Sequence, residues 1–285
     1  MKATLLAADK AQKIYDLPGF IACGQAHHQV RALHPDEMIP LPQGSNLFFL
    51  PDRHPVAFNT DTNTFDTLKD LSAVAAFIPP GYTQLWTAAY VEAPSARLLP
   101  LYSYAPVAYH KGNFYVAAVR VDRRRIHDLS GLDRAALDRS IRTFKSTANR
   151  LIRHLAHCAK VNGCPNAINF FLGRHECPLP TSSQCNARCF GCISLQPKGS
   201  CPATQKRLTF APTAEEAAEV ALIHIKNVRV PIVSFGQGCE GEPLLAAKVI
   251  RRAIQIIRQK TSRGTIPMNT NASLRAALED LFVEG

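Results

Sequence analysis

The sequence predicts an α/β protein. An N-terminal mixed α/β domain covers residues 1–165, and a run of three parallel βα units covers residues 166–285. Three observations carry this reading. A β-hairpin pattern stands in the first half, a helix-period run follows it, and strand-like and helix-like segments alternate from Ala167 to the end.

In chain order, polar and proline-rich segments (His34 to Pro42, Pro79-Pro80-Gly81) punctuate short apolar runs such as Leu47 to Leu50. Val107 to His110 and Asn113 to Asp122 are rich in β-branched and aromatic residues, with Lys111-Gly112 between them as a turn. Ser130-Gly131-Leu132-Asp133 has the look of a capping box. Leu137, Ile141, Phe144, Ala148, Leu151, Ile152 and Leu155 then recur at helical spacing, predicting one long amphipathic helix that closes the first domain.

The second half reads as strand Ile168–Leu172, a cysteine-rich loop, and a helix from Thr213 to about Asn227 with Glu215 and Glu216 at its positive end. Strand Val230–Phe235, helix Leu244–Lys260, strand Thr265–Asn269 and helix Leu274–Phe282 complete it. Alternation of this kind implies parallel strands joined by crossovers.

Composition bounds the function. Apolar residues make up 46% and charged residues 19%, enough for a packed core and too apolar for wholesale disorder. No run of about 18 uncharged apolar residues exists, and the N-terminal apolar stretch is too short for a signal peptide, which predicts a cytoplasmic protein with no membrane partner. The net charge is +11, and eleven basic against four acidic residues lie between Arg120 and Lys160. Such a patch attracts phosphates, and equally describes a solvated helix face. Arg123-Arg124-Arg125 reads as the turn between hairpin and helix.

Nine cysteines in a reducing compartment argue against disulfides, and five of them, Cys177, Cys185, Cys189, Cys192 and Cys201, fall within 25 residues. Gln184 to Cys192 spells C-x3-C-x2-C. Three soft thiolates on one loop suit three irons of a cubane and leave the fourth iron without a protein ligand, unlike the closed tetrahedron of structural zinc. Cys177 and Cys201 flank the motif and are expected as small buried side chains, with a second metal as the other possibility. Cys239 is expected packed near the site. Cys23, His27 and His28 give no metal expectation, since adjacent histidines on a strand point to opposite faces.

The C-x3-C-x2-C loop, the later Gly238-Cys239-Glu240-Gly241-Glu242-Pro243 segment and Asn269-Thr270-Asn271 together resemble the radical S-adenosylmethionine (SAM) enzymes. The resemblance spans about 40% of the chain and implies that residues 166–285 form a partial (βα) barrel of the radical SAM type, incomplete after three units. It implies a [4Fe-4S] cluster on Cys185, Cys189 and Cys192, and S-adenosyl-L-methionine on the open iron. It also implies SAM contacts from Gly241 and Glu242 to the methionyl amine, and from Asn269 and Asn271. Phe190 is the aromatic candidate for the adenine, one place earlier than the family's usual position, where Gly191 stands. Glu240 replaces the family's first glycine. The implied chemistry is reductive cleavage of SAM to a 5′-deoxyadenosyl radical that abstracts hydrogen from a peptide or small metabolite. A flavodoxin- or ferredoxin-like one-electron reductant would serve as partner.

Two other functions fit the same residues. A radical SAM enzyme could use the basic 120–160 helix to hold RNA and modify a nucleoside. An iron–sulfur binding or electron-transfer module would never cleave SAM. A six-unit barrel needs on the order of 200 residues, so the 118 after Ala167 read as a fragment or short form. No single catalytic residue is legible, and residues 1–165 suggest no activity.

Overall fold

The computed structural model describes residues 3–124 and 132–284. The chain divides into two compact units, Met1–Leu132 and Asp133–Gly285.

The first unit is β-rich. Its strands are β1 (Thr4–Ala8), β2 (Ile14–Ala26), β3 (Gln29–Ala32), β4 (Met38–Pro40), β5 (Asn46–Leu50), β6 (Arg53–Asn59) and β7 (Thr64–Thr67). They continue with β8 (Ser72–Phe77), β9 (Tyr82–Gln84), β10 (Thr87–Ala88), β11 (Tyr90–Glu92), β12 (Ala105–His110) and β13 (Asn113–Arg120). All thirteen join one antiparallel sheet whose main path runs β11-β6-β2-β1-β8-β12-β13-β4. β1 is its centre, pairing with β2, β8 and β12, and Leu5 to Ala8 are buried on both faces. Alanine fills the tight places, for Ala7, Ala8, Ala57, Ala75, Ala76, Ala105, Ala108 and Ala117 have no exposed surface.

The expected hairpin is β12–β13. His110 pairs with Asn113, and Lys111 and Gly112 turn with φ of 47° and 85°, the left-handed pair that a two-residue hairpin turn requires. The expected mixed α/β character of this unit is corrected: its described residues hold only strands and one 3₁₀ turn, Pro35–Glu37. The Pro-rich segments separate strands from strands, and the helix-period run belongs to the other unit.

That run is also two helices, α1 (Arg134–Thr143) and α2 (Arg150–Lys160), not one. Asn149 makes the break. Its Oδ1 accepts from the Leu151 and Ile152 N–H groups, capping α2, while its Nδ2 donates to the Glu216 carbonyl and the Glu219 carboxylate. Leu151, Ile152 and Leu155 are buried in the second unit, so the boundary falls at Leu132/Asp133 and not at residue 165. Asp133 caps α1 through the Ala136 N–H, while Arg125, Ser130 and Gly131 lie outside the described residues.

The expected strand Ile168–Leu172 is a helix, α3 (Pro165–Leu172). Pro165 at its first turn and Gly173 at φ 61° bracket it, and a short apolar run alone does not choose between strand and helix. The strand that enters the cysteine loop is β14 (Glu176–Pro178). Beyond the loop come α4 (Ala214–Asn227), β15 (Ile232–Ser234), a 3₁₀ turn Pro243–Ala246, α5 (Ala247–Lys260) and α6 (Arg275–Phe282). Thr213 and Glu216 form a reciprocal capping box on α4.

β14 and β15 pair in parallel, and the segment at Thr265–Met268 joins β15 through single parallel bridges to Ile232 and Phe235. The parallel order is thus kept over one two-stranded pair and two isolated bridges; the expected partial barrel is not seen among the described residues, nor is a closed one. No described helix is long and apolar enough to cross a membrane.

Candidate metal centre

In open parallel sheets, ligands bind beyond the carboxyl ends of the strands. Three loops leave those ends here: the cysteine loop after β14, residues 236–242 after β15, and residues 269–273 after the third segment.

Backbone lies directly against backbone where the loops meet. Gly241 donates its N–H to the Ser182 carbonyl at 2.7 Å and Glu242 donates to Gln184 O at 2.8 Å. A Cβ on Gly241 would stand 1.8 Å from Gln184 O. Gly241 thus brings the second loop onto the residue before Cys185, as only glycine allows. Gly236, at φ +79°, does the same against Asn269, whose N–H donates to Phe235 O at 3.0 Å. The structure gives Asn269 this backbone role.

Glu240 organises the joint. Its Oε2 accepts from the Thr181 and Ser182 N–H groups at 2.7 and 2.8 Å and from the Thr181 hydroxyl. Its Oε1 accepts from the Gly236 and Gln237 N–H groups at 2.9 and 2.7 Å. The side chain is buried, and burial pushes its carboxyl up while these N–H groups pull it back. Sequence reasoning gave this carboxylate no role. The signal was a second acid, two residues before Glu242, in an otherwise small, glycine-rich loop.

Glu242 is buried too. Its Oε1 caps the 3₁₀ turn through Leu244 N at 3.1 Å and accepts the Thr270 hydroxyl, and its Oε2 accepts from Asn271 N at 2.9 Å. The Asn271 amide donates to Asn186 Oδ1 at 2.8 Å, and Asn186 donates to the Ser273 hydroxyl at 2.8 Å. Glu242, Asn271 and the cysteine loop are thereby brought together. Phe190 stands apart, 97% exposed.

Cys185 and Cys192 are half-buried and Cys189 is exposed; all three are free thiols. Cys192 Sγ lies 3.2 Å from Arg207 Nη2 and 3.7 Å from Ser194 Oγ. Burial would raise this thiol, but hydrogen bonds from Ser194 and Leu195 and the Arg207 charge outweigh it and hold Cys192 below the ordinary thiol range. Gln196 Nε2 donates to the carbonyls of Phe190 and Cys192, folding the loop's end back.

The donor set fits a cluster. Three soft ligands share one loop, one of them is held toward thiolate, and a cubane takes one thiolate per iron, so the sulfurs need not converge on a point. Glu242 fits an amine as well. A carboxylate offers about four lone-pair sites, and Oε2 has a single described donor, Asn271 N.

The remaining candidates lie elsewhere. Cys177 is wholly buried, and burial pushes its thiol well up; Cys23 is buried in the first unit and pushed up to about 12. His27 and His28 form the β2–β3 turn. Much of the basic stretch is internally paired. Arg150 makes a two-pronged contact with Glu216, Arg153 donates to the Thr147 and Ala148 carbonyls, and Lys160 pairs with Asp138. The one set of three His, Cys, Asp or Glu side chains whose ligand atoms converge within 4.8 Å, among the described residues, is His154, Cys158 and Cys239. No family model, curated protein or solved structure matches the chain.

Proposed function

We propose that the second unit binds a [4Fe-4S] cluster through Cys185, Cys189 and Cys192 and S-adenosyl-L-methionine beside it, and that the protein is a radical SAM enzyme acting on a peptide or small metabolite. One observation carries the reading. The cysteine loop, the Gly241-Glu242-Pro243 segment and the Asn271 loop leave the same ends of adjacent parallel segments, in that order, and are tied to one another by Glu240, Glu242 and Asn271. Bound there, the cofactor pair supplies a one-electron cleavage of the sulfonium and a carbon radical able to abstract hydrogen.

The chain's own part is positioning. Arg207 and the Ser194 groups keep Cys192 ready as a thiolate ligand. Gly241 removes every side-chain atom between the two loops, so the Glu242 carboxylate is held at a fixed distance from the Cys185 end. Glu242 then receives the cationic amine by a charge-assisted hydrogen bond. The internal pairing of Arg150, Arg153 and Lys160 argues for the solvated helix face over RNA binding.

Anaerobic reconstitution tests this. The chain should take up about four irons and turn brown, and with SAM and a strong reductant release 5′-deoxyadenosine. The Cys185→Ala/Cys189→Ala/Cys192→Ala variant should stay colourless. Glu242→Gln should keep the iron and lose about tenfold in SAM affinity, as for one charged hydrogen bond. Iron retained in the triple variant would remove the cysteine loop from the reading. A brown protein that never releases 5′-deoxyadenosine would leave the electron-transfer module in its place.

A further inference from the structure

We propose that His154, Cys158 and Cys239 form a second metal site, built for a soft d10 cation of the zinc class and separate from the cysteine loop. The three ligand atoms already lie within 4.8 Å of one another, with His154 Nε2 and Cys158 Sγ at 3.4 Å. Zinc bonds of about 2.0–2.1 Å to nitrogen and 2.3 Å to sulfur place tetrahedral ligands about 3.5–3.8 Å apart. Closing this set around an ion therefore needs only small side-chain rotations.

The elements explain the convergence. His154 and Cys158 stand one turn apart on α2 and share a face. Cys239 comes from the loop after β15, which Glu240 anchors and which Leu208 N pins at the Cys239 carbonyl, 2.7 Å away. Both thiols are buried, Cys158 3% and Cys239 7% exposed, and His154 is half-buried. Two polarisable thiols beside an imidazole are a donor set suited to a soft or borderline metal.

This inference does not rest on the cluster. It extends to what the site would do: an ion held here links α2 to the loop that carries Glu240 and Glu242, so its binding energy contributes to the folding of that loop. Three protein ligands leave one tetrahedral position.

The test uses the full chain with Cys185, Cys189 and Cys192 all replaced by Ala, so that the cysteine loop cannot compete. Metal-free protein, prepared anaerobically with a chelator, is titrated with Co²⁺. One equivalent should bind, with thiolate-to-cobalt charge-transfer and tetrahedral d–d bands, and Zn²⁺ should bleach both. His154→Gln and Cys158→Ser should each abolish the bands, whereas Cys201→Ser should keep them. In the unmutated chain, where no variant can misfold, Zn²⁺ should slow alkylation of Cys158 and Cys239 at least tenfold by mass spectrometry. Equal cobalt binding in the His154 and Cys158 variants, unprotected thiols, or a Cys158–Cys239 disulfide in the anaerobically purified chain would overturn the proposal. Because the cluster ligands are absent from the titrated variant, the cobalt outcomes do not bear on the iron–sulfur reading.

Discussion

The two units hold their backbones in different ways. In the first, thirteen antiparallel strands distribute the hydrogen bonding over ladders, and β1 alone is paired with three neighbours. In the second, strands of three residues carry little, and the loops hang on single side chains: Asn149 at the α2 start, Glu240 and Glu242 at the centre, Asn186 at the cysteine loop. Redundant ladders tolerate the loss of any one contact. A loop system hung on a few carboxylates and amides does not, but it can shape a site that no ladder could.

The largest expected effect tests that contrast. Glu240→Ala leaves the N–H groups of Thr181, Ser182, Gly236 and Gln237 without their acceptor. At about 1–3 kcal/mol per unsatisfied buried donor, the loss should be at least about 4 kcal/mol. All six described helices lie in the second unit and the only tryptophan, Trp86, in the first, so helical circular dichroism and Trp fluorescence report the two separately. The denaturation midpoint should fall in the helical signal and stay unmoved in the fluorescence. Equal shifts in both would mean that the units unfold as one.

The reciprocal change is smaller. Leu6→Ala, at a fully buried position of β1, should cost about 3 kcal/mol. It should move Trp86 fluorescence and leave iron uptake intact. Loss of iron in this variant would show that the sheet supports the metal centre.

The smallest effect concerns Glu216. Its hydrogen bonds to Arg150, with those from Thr213, outweigh burial and hold its carboxyl at about 2, below the usual 4.5. A depressed carboxylate contributes stability that is complete above about pH 4.5 and is lost as pH falls toward 2. For a pair this close to solvent the amount is below about 1 kcal/mol. Acid titration of the helical signal should show the decline, and Glu216→Gln should flatten it.

Legibility in the sequence followed the range of the forces. The β12–β13 hairpin, its Lys111-Gly112 turn and the helices α4 to α6 are set by neighbours in the chain, and pattern reading found them. Where tertiary partners decide, it failed. Asn149 splits a continuous helical period because Glu216 and Glu219 wait for its amide. One local signal was missed as well: Pro165 and Gly173 bracket the apolar run Ile168–Leu172 as a helix. Sequence spacing pointed to Cys185, Cys189 and Cys192, yet the tightest grouping of ligand atoms joins His154 and Cys158 to a cysteine 81 residues beyond Cys158. No short motif shows such a pairing.

Glu240 also sets a clock. Two of its backbone donors are its near neighbours, Gly236 and Gln237, while the other two, Thr181 and Ser182, lie 59 and 58 residues upstream. The near half can form as soon as the segment exists; the far half must wait for β15 to reach β14 and bear the loop-closure entropy first. At roughly 5–20 residues per second, synthesis of those 58 residues takes about 3–12 s. During that interval the nascent cysteine loop has left the ribosome's assembly line in sequence but not in shape, its thiols present and its anchor still unmade. Joining of the two loops, and with it any assembly of the proposed centre, is therefore a late event timed by Glu240.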